Sequence, residues 1–403
     1  MDTHLAGATH VFLSHMHEDH FDVATLSRLD PSVTFLIPDQ YPNAIMATRL
    51  RHLGFERVVR LPMGRPVEIA PDFGVEALLP MNVCGLETEL YDEGGASITY
   101  QIDAGALFRL GERRVVALAD NHPCHPQRIP ESMARMRGCD LLAFSYNGVA
   151  SDYPLCYEDL DEAQVAAITR AREDKRAALI ERFIEMVGPK ALLLYSSEFA
   201  IAGPQARRFA AWLQNGWWVD KRGAARRYAE RSGHPALALY EGDVARLGAS
   251  GWSVEEHAAP RPALAQVAAS LYSETPNTHA RFPDTTAEEL EELVERAVAN
   301  VLSVMERRRI ACDWTLLLHA EHTPLSRPAL DFAQGMRRAV PVPGARLLSC
   351  RLQANYLAAL RGDCHWNSAR ISFNLRWRRD PSVYDHDLFD LLNFLHVPRA
   401  RAT

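Results

Sequence analysis

Along residues 9–146, short apolar runs alternate with polar breaks: "THVFLSH", "SVTFLIP", "ERVVRLP", "VEALLP", "SITYQID", "ALFRLG", "RRVVALAD" and "DLLAFSY". Runs of this length, rich in Val, Ile, Phe and Tyr and bounded by Gly, Pro, Asp or Asn, read as strands. Helical stretches lie among them at "VATLSRL" and "NAIMATRLRHLG", the second stopped by Gly54. The alternation predicts a layered, mixed α/β architecture.

From Asp161 the period changes. "DEAQVAAITRAREDKRAALIERFIEMVG" carries apolar residues three and four apart and ends at Gly188-Pro189, which predicts a long helix with Ile180 and Phe183 on a sheet and a solvated charged face, Arg176 and Glu181 included. A strand, "KALLLYSS", and an amphipathic helix, "PQARRFAAWLQNG", follow. Residues 216–283 are richer in Gly, Pro and Ala and less periodic, and read as a connection or lid. Beyond them, "TTAEELEELVERAVANVLSVMERR" opens with Thr286 and Glu289 in capping-box spacing. "DWTLLLHAEH", "ARLLSCRL" and "ARISFNLRWRRDP" read as strands and "YDHDLFDLLNFL" as a final helix, so 284–403 is expected to form a small α+β unit after an α/β domain over 1–215.

Composition narrows the setting. The 44 Lys and Arg against 51 Asp and Glu give a net charge of -7 with no basic block, which argues against nucleic acid as a partner. Seven cysteines without a CxxC pair fit reduced thiols rather than a disulfide framework or a zinc knuckle, and Cys84 and Cys124 read as plain buried thiols. No run of about 18 apolar residues and no basic-then-apolar leader occurs, so a cytoplasmic protein without a membrane span is expected.

The chemistry concentrates in "LSHMHEDHFD". His15, His17, Asp19 and His20 have the spacing H-x-H-x-D-H directly after an apolar strand, unlike a helical zinc motif with histidines four apart. A sharp loop at a strand end can turn these side chains toward two neighbouring points, His15 and His17 to one ion, Asp19 and His20 to a second. Imidazole and carboxylate suit zinc, iron or manganese. A solvated polar turn would not need four such groups in this order. Glu18 and Asp22 read as supporting or solvated acids rather than ligands.

At these residues the sequence resembles the metallo-β-lactamase superfamily, whose mark is this loop at a strand end of an αβ/βα sandwich. The resemblance implies that a later Asp after an apolar strand bridges two ions, and Asp120 in "VVALADN" fits that place. It also implies Asp120 and Asp19 as the acids at the reaction centre. "CDLLAFSYNGVASDYPLCYE", "KRAALIERFIEMVGPKALLLYSSEFA" and "RWRRDPSVYDHDLFDLLNF" further resemble the catalytic part of CMP-N-acetylneuraminate hydroxylase and its bacterial relatives. That resemblance implies hydroxylation of an N-acyl group with electrons from a Rieske iron-sulfur domain.

Three departures stand out. No C-x-H with C-x-x-H occurs, so the Rieske cluster is not on this chain and a separate electron-donor protein is expected. Only 14 residues precede His15, which leaves the sandwich N-terminally short, with its first strands expected from a longer form of the chain or from a partner. Around "LLPMNVCG", where a third histidine for the first ion is usual, there is none; His122 or His125 in "DNHPCHP" is a replacement candidate, His122 being taken as the ligand. His319 and His322 read as structural.

Asn147, Ser151, Asp152 and Tyr153 in "NGVASDYP" are candidates to line a substrate cleft. Arg376, Arg378 and Arg379 are placed to meet a phosphate or carboxylate, or else to form salt bridges at a strand edge. The expected function is an oxygenase or hydroxylase with two divalent metal ions, iron before zinc, acting on a small molecule that is nucleotide-linked or N-acylated. The alternatives are a metal-dependent hydrolase of an ester, lactone or phosphodiester using a metal-bridging hydroxide, and a non-catalytic relative.

Overall fold

Alternation within single strands decides how the layers stack. In the computed structural model, which describes residues 7–17, 19–40, 43–81, 88–91, 97–100, 103–121, 130–146, 152–196, 206–214, 220–240, 242–248, 251–257, 262–272, 286–320, 323–352, 357–361, 366–371, 375–383 and 385–398, the chain divides into two units. Each is assembled from three segments: 1–147, 174–198 and 219–261 in the first, 148–173, 199–218 and 262–403 in the second.

In the first unit β1 (His10–Phe12), β2 (Thr34–Pro38) and β3 (Val58–Leu61) form a parallel three-stranded sheet in the order β1-β2-β3. A seven-stranded sheet takes β4 (Pro66–Ala70), β5 (Phe73–Leu78), β8 (Gly105–Leu110), β9 (Arg113–Ala117), β10 (Leu141–Ser145), β11 (Leu192–Tyr195) and β12 (Ala236–Ala238), in the order β12-β11-β10-β9-β8-β5-β4. Between them in sequence, β6 (Thr88–Tyr91) and β7 (Ser97–Tyr100) pair as a separate antiparallel ribbon.

On β2, Leu36 packs with Val75, Ala77 and Ala106 of the larger sheet, whereas Phe35 and Ile37 pack outward with Leu26, Met46 and Leu50 of the helices Val23–Leu26 and Ile45–His52. On β8, Ala106 and Phe108 face the smaller sheet, and Leu107 faces Met133, Ile180 and Phe183 on the opposite side. One residue of offset reverses the face. The result is helices, sheet, sheet, helices: the αβ/βα sandwich expected above.

A buried ion pair braces the outer layer of the larger sheet. Glu76 on β5, 1% exposed, accepts from Arg135 Nε at 2.6 Å and Nη2 at 2.7 Å, with the Ser132 hydroxyl at 3.3 Å. Arg135 also donates to the carbonyl of Gly64, tying the helix Pro130–Met136 to the turn after β3.

The second unit is built on β15 (Trp314–Ala320), β16 (Ala329–Asp331), β17 (Met336–Arg338), β18 (Arg346–Leu352) and β19 (Arg376–Asp380), ordered β17-β16-β15-β18-β19. Trp314, Leu316, Leu318, Leu348, Cys350 and Trp377 bury one sheet face with Leu290, Val294, Ala297 and Val301 of the helix Ala287–Arg308. Thr286 and Glu289 close that helix's capping box as expected. Among the described residues no helix is long and apolar enough to cross a membrane.

Several expectations change. Residues 216–283 do not read as a plain connection, because they include the helix Lys221–Ser232, the edge strand β12, and a hairpin of β13 (Val244–Gly248) and β14 (Gly251–Glu255) whose Trp252 indole donates to the carbonyl of Asp140. "ARISFNLRWRRDP" starts as the end of the helix Trp366–Ile371, with Trp366 and Ala369 buried, and becomes a strand only at Arg376. In the helix Glu162–Val187, Ile180 and Phe183 are buried as expected, but its charged face is not simply solvated: Arg176 donates to the carbonyl of Ser145 at 2.8 Å and Glu181 accepts from Arg231 at 2.9 Å.

Candidate metal centre

The H-x-H-x-D-H loop begins where β1 runs out. Leu13 still donates to Leu36 O in the β1–β2 direction, and the chain then folds sharply, with the amides of His20 and Phe21 both meeting the carbonyl of His17 at 3.0 and 2.7 Å. Buried Leu13 and Phe21 anchor the loop's two ends in the layer of helices, and Asp22 caps the helix Val23–Leu26 by accepting from the amides of Ala24 and Thr25. With apolar anchors at both ends, the polar side chains between them are left to turn the other way.

They converge. His15 is fully buried, and its Nε2 lies 2.8 Å from His17 Nδ1 and 3.8 Å from both Asp103 Oδ1 and Asp120 Oδ2. His20 Nε2 lies 3.2 Å from Asp120 Oδ2 and 3.6 Å from Asp19 Oδ2. One hydroxyl orients two rings, since Ser14 Oγ is 3.0 Å from His15 Nδ1 and 3.1 Å from His20 Nδ1, which leaves both Nε2 atoms facing the carboxylates.

Asp103 and Asp120 come from the larger sheet. Asp103 lies two residues ahead of β8, where β8 and β9 approach so closely that a Cβ on Gly105 would sit 2.8 Å from the carbonyl oxygen of Ala117. Asp120 follows β9 through Ala119, whose φ of 51° is a left-handed conformation that costs an alanine energy and re-aims the next side chain. The turn is held by Tyr195 Oη, which donates to the carbonyl of Ala119, and by Asn121, which bonds Leu79 O and Met81 N.

Among the described residues, two groups of donors can hold an ion: His15, His17 and Asp103, and His15, His20 and Asp120, with the ligand atoms of each group all within 4.8 Å of one another. Donors about 2.0–2.2 Å from a shared ion stand roughly 3–3.5 Å apart, close to the observed 2.8–3.8 Å separations. The donor chemistry also fits. Burial foremost, then the nearby His20 and His17, hold His15 down at about 3 despite Asp120, so its ring stays neutral, the form that ligates. Burial would also lower His20, but the hydrogen bond and charge of Asp120, with Asp19, outweigh it and raise its pKa.

Of the residues proposed from sequence, the structure brings together His15, His17, His20 and Asp120. Asp19 stands beside them, with its side chain 75% exposed and its carboxylate nearest His20. His122, His125, Glu18, His322, Asn147, Ser151, Cys84 and Cys124 lie outside the described residues, as does the side chain of Asp152. Tyr153 belongs to the other unit, where its ring meets Tyr157 and the guanidinium of Arg379. Asp103 and Ser14 escaped sequence reasoning. Asp103 stands beside His15 and His17, in the role a third histidine was expected to fill; its one signal, an acid two residues ahead of a Gly-Ala strand start, is weak among 51 acidic residues.

No family model and no curated protein matches the chain. Solved structures similar to it include the diiron β-hydroxylase CmlA from Streptomyces venezuelae, at 18% identity over 62% of this chain and 45% of that one, with a TM-score of 0.38. A metallo-β-lactamase fold protein, YhfI from Bacillus subtilis, aligns at 14% identity over 58% of this chain and 76% of that one, with a TM-score of 0.35. A possible metal-dependent hydrolase from Veillonella parvula aligns at 11% identity over 60% and 77%, with a TM-score of 0.38. The chain spans under half the length of the hydroxylase. Identities and TM-scores of this size leave the activity to be argued from the site itself.

Proposed function

We propose that this chain is a metal-dependent oxygenase of hydroxylase type with two iron ions. The observation that carries the reading is Asp103, a buried carboxylate beside His15 and His17 at the place expected for a third imidazole. Two histidines and one carboxylate with open positions form the donor set of non-haem iron oxygenases; catalytic zinc sites use the same set, so geometry and metal availability decide which ion binds. Because His15 Nε2 can serve only one ion, His15, His17 and Asp103 would hold the first, and His20, Asp19 and Asp120 the second. When bound, such a pair supplies dioxygen activation with electrons from a separate donor protein.

The chain's own residues then divide the work. Ser14 fixes the orientation of two rings, and burial keeps His15 neutral. The Asp120 carboxylate, 37% exposed and 3.2 Å from His20 Nε2, is the acid that a small substrate, nucleotide-linked or N-acylated, can reach.

The experiment is competitive loading of the purified full chain with Fe(II) and Zn(II) under anaerobic conditions, followed by metal analysis and oxygen uptake with a chemical reductant. Two irons per chain, reductant-dependent oxygen uptake and loss of bound metal in His15→Ala and Asp103→Ala are expected. Two tightly held zincs that iron does not displace, with no oxygen uptake, would overturn the proposal in favour of a hydrolase.

A further inference from the structure

The second unit carries a cleft of about 400 Å³ that the metal chemistry does not use, on the face of the five-stranded sheet opposite its buried core. Register puts basic side chains side by side there. His319 on β15 pairs with Arg351 on β18, Arg351 with Arg376 on β19, and Ser349 with Arg378. Arg379, grouped with them in sequence, is excluded: it lies on the other face, buried against the rings of Tyr153 and Tyr157.

Like charges directly opposite each other across strands destabilise a sheet, and among the described residues the acid lining the cleft is Glu158, 3.3 Å from Arg351. Three guanidinium groups face it. Arg378 is exposed and makes no ion pair among the described residues, while Arg376 is aimed by contacts from Nη1 to Cys156 Sγ at 3.4 Å and to the carbonyl of Leu375 at 3.2 Å. An anion with several oxygens would stabilise this gathering of cations, because each planar fork can take two of them. A monocarboxylate has oxygens for one fork; a phosphate group has enough for all three.

We propose that this cleft binds a phosphate group, held by Arg351, Arg376 and Arg378 with Ser349 and His319 at its margin. Its volume falls within the range of small-molecule sites, roughly 300–1,000 Å³. The proposal is independent of the oxygenase reading, since every residue in it belongs to the second unit.

The test is calorimetric titration of the EDTA-treated full chain, so that no bound metal contributes, with phenyl phosphate, inorganic phosphate and benzoate as probes. Saturable binding of one or both phosphates, with benzoate much weaker, is expected; whichever phosphate binds tighter identifies an ester or the free ion as the source. Arg378→Ala should weaken binding by roughly tenfold or more and Arg378→Lys by less, as expected when a charged, forked hydrogen bond is lost or only its charge is kept. Because Arg378 is exposed, these variants should fold as the parent does, which their unfolding curves will show. No saturable phosphate binding, equal affinity for benzoate, or unchanged affinity in both Arg378→Ala and Arg351→Ala would overturn the proposal.

Discussion

Replacing Arg135 with methionine removes the only cation that, among the described residues, pairs with the buried carboxylate of Glu76. Two unit charges about 4 Å apart attract by roughly 4 kcal/mol at an effective dielectric near 20, and Arg135 holds Glu76 through two contacts of 2.6 and 2.7 Å. Stranding one partner of a buried pair costs roughly 3–5 kcal/mol. The lower end applies here, because the Ser132 hydroxyl stays within 3.3 Å of Oε1 and the Arg135 side chain is itself 34% exposed. Arg135→Met should therefore lower the unfolding free energy of the first unit by about 3 kcal/mol. The double variant Glu76→Leu/Arg135→Met, which leaves no charge behind, should fall within about 1 kcal/mol of the parent, since apolar replacement of a whole buried pair is often neutral. Urea denaturation of parent, both single variants and the double variant closes the cycle, with a coupling of roughly 2–3 kcal/mol expected for groups in direct contact. If Arg135→Met costs less than about 1 kcal/mol, or if the two single changes simply add, the pair is not the brace described above.

Three further outcomes are expected. In Gly105→Ala the new methyl would meet the Ala117 carbonyl at 2.8 Å and Leu118 backbone atoms at 3.1 Å, so the β8–β9 approach must open; a loss of roughly 1–3 kcal/mol should accompany weaker metal retention in dialysis, and unchanged retention would show that the two aspartates do not depend on this spacing. For Asp140, burial alone would raise the pKa, but the Arg114 amide, Lys190 and Arg113 outweigh it and bring it below 3.8, so its stabilisation is complete above 3.8 and lost as pH falls through the lower folded value. Asp140→Asn should accordingly be less stable than the parent at neutral pH and converge with it in acid, measured by urea unfolding across pH. Thr286→Ala removes the capping box of the helix Ala287–Arg308 and should cost about 1 kcal/mol, with metal content by elemental analysis unaltered because the cap lies in the second unit.

What the sequence reveals follows from how local each feature is. "SVTFLIP" discloses β2 and its two faces because Phe35, Leu36 and Ile37 are all apolar between polar ends, as they must be in a strand covered on both sides. The loop from His15 to His20 is legible for the same reason: its ligands sit within six positions. Asp103 is not, because it reaches His15 through the pairing of β5, β8 and β9, a relation between distant segments. The helix Lys221–Ser232 was hidden in "KRGAARRYAERS", whose buried side is only Ala224, Ala225 and Tyr228. The two units also defeat a linear reading, since each takes its segments from both sides of the other.

The donors of the candidate metal centre arrive on different sheets: His15, His17 and His20 beyond β1 of the smaller one, Asp103 ahead of β8 and Asp120 beyond β9 of the larger. Neither sheet alone offers a complete donor group, since each group takes two histidines from the loop after β1 and one aspartate from the larger sheet, so the order of events during folding is constrained. The smaller sheet and its helices can form from local contacts, but the larger must bring Leu192 beside Leu142 and Ala236 before it is complete. Long-range pairings of this kind close late. A chain in which the sheets have not met has the loop from His15 to His20 but neither Asp103 nor Asp120 beside it, and early-bound metal would be held in a geometry that still has to be exchanged. Correct loading is therefore expected after folding, and metal added after refolding should give more uniformly occupied protein than the same metal present while the chain folds.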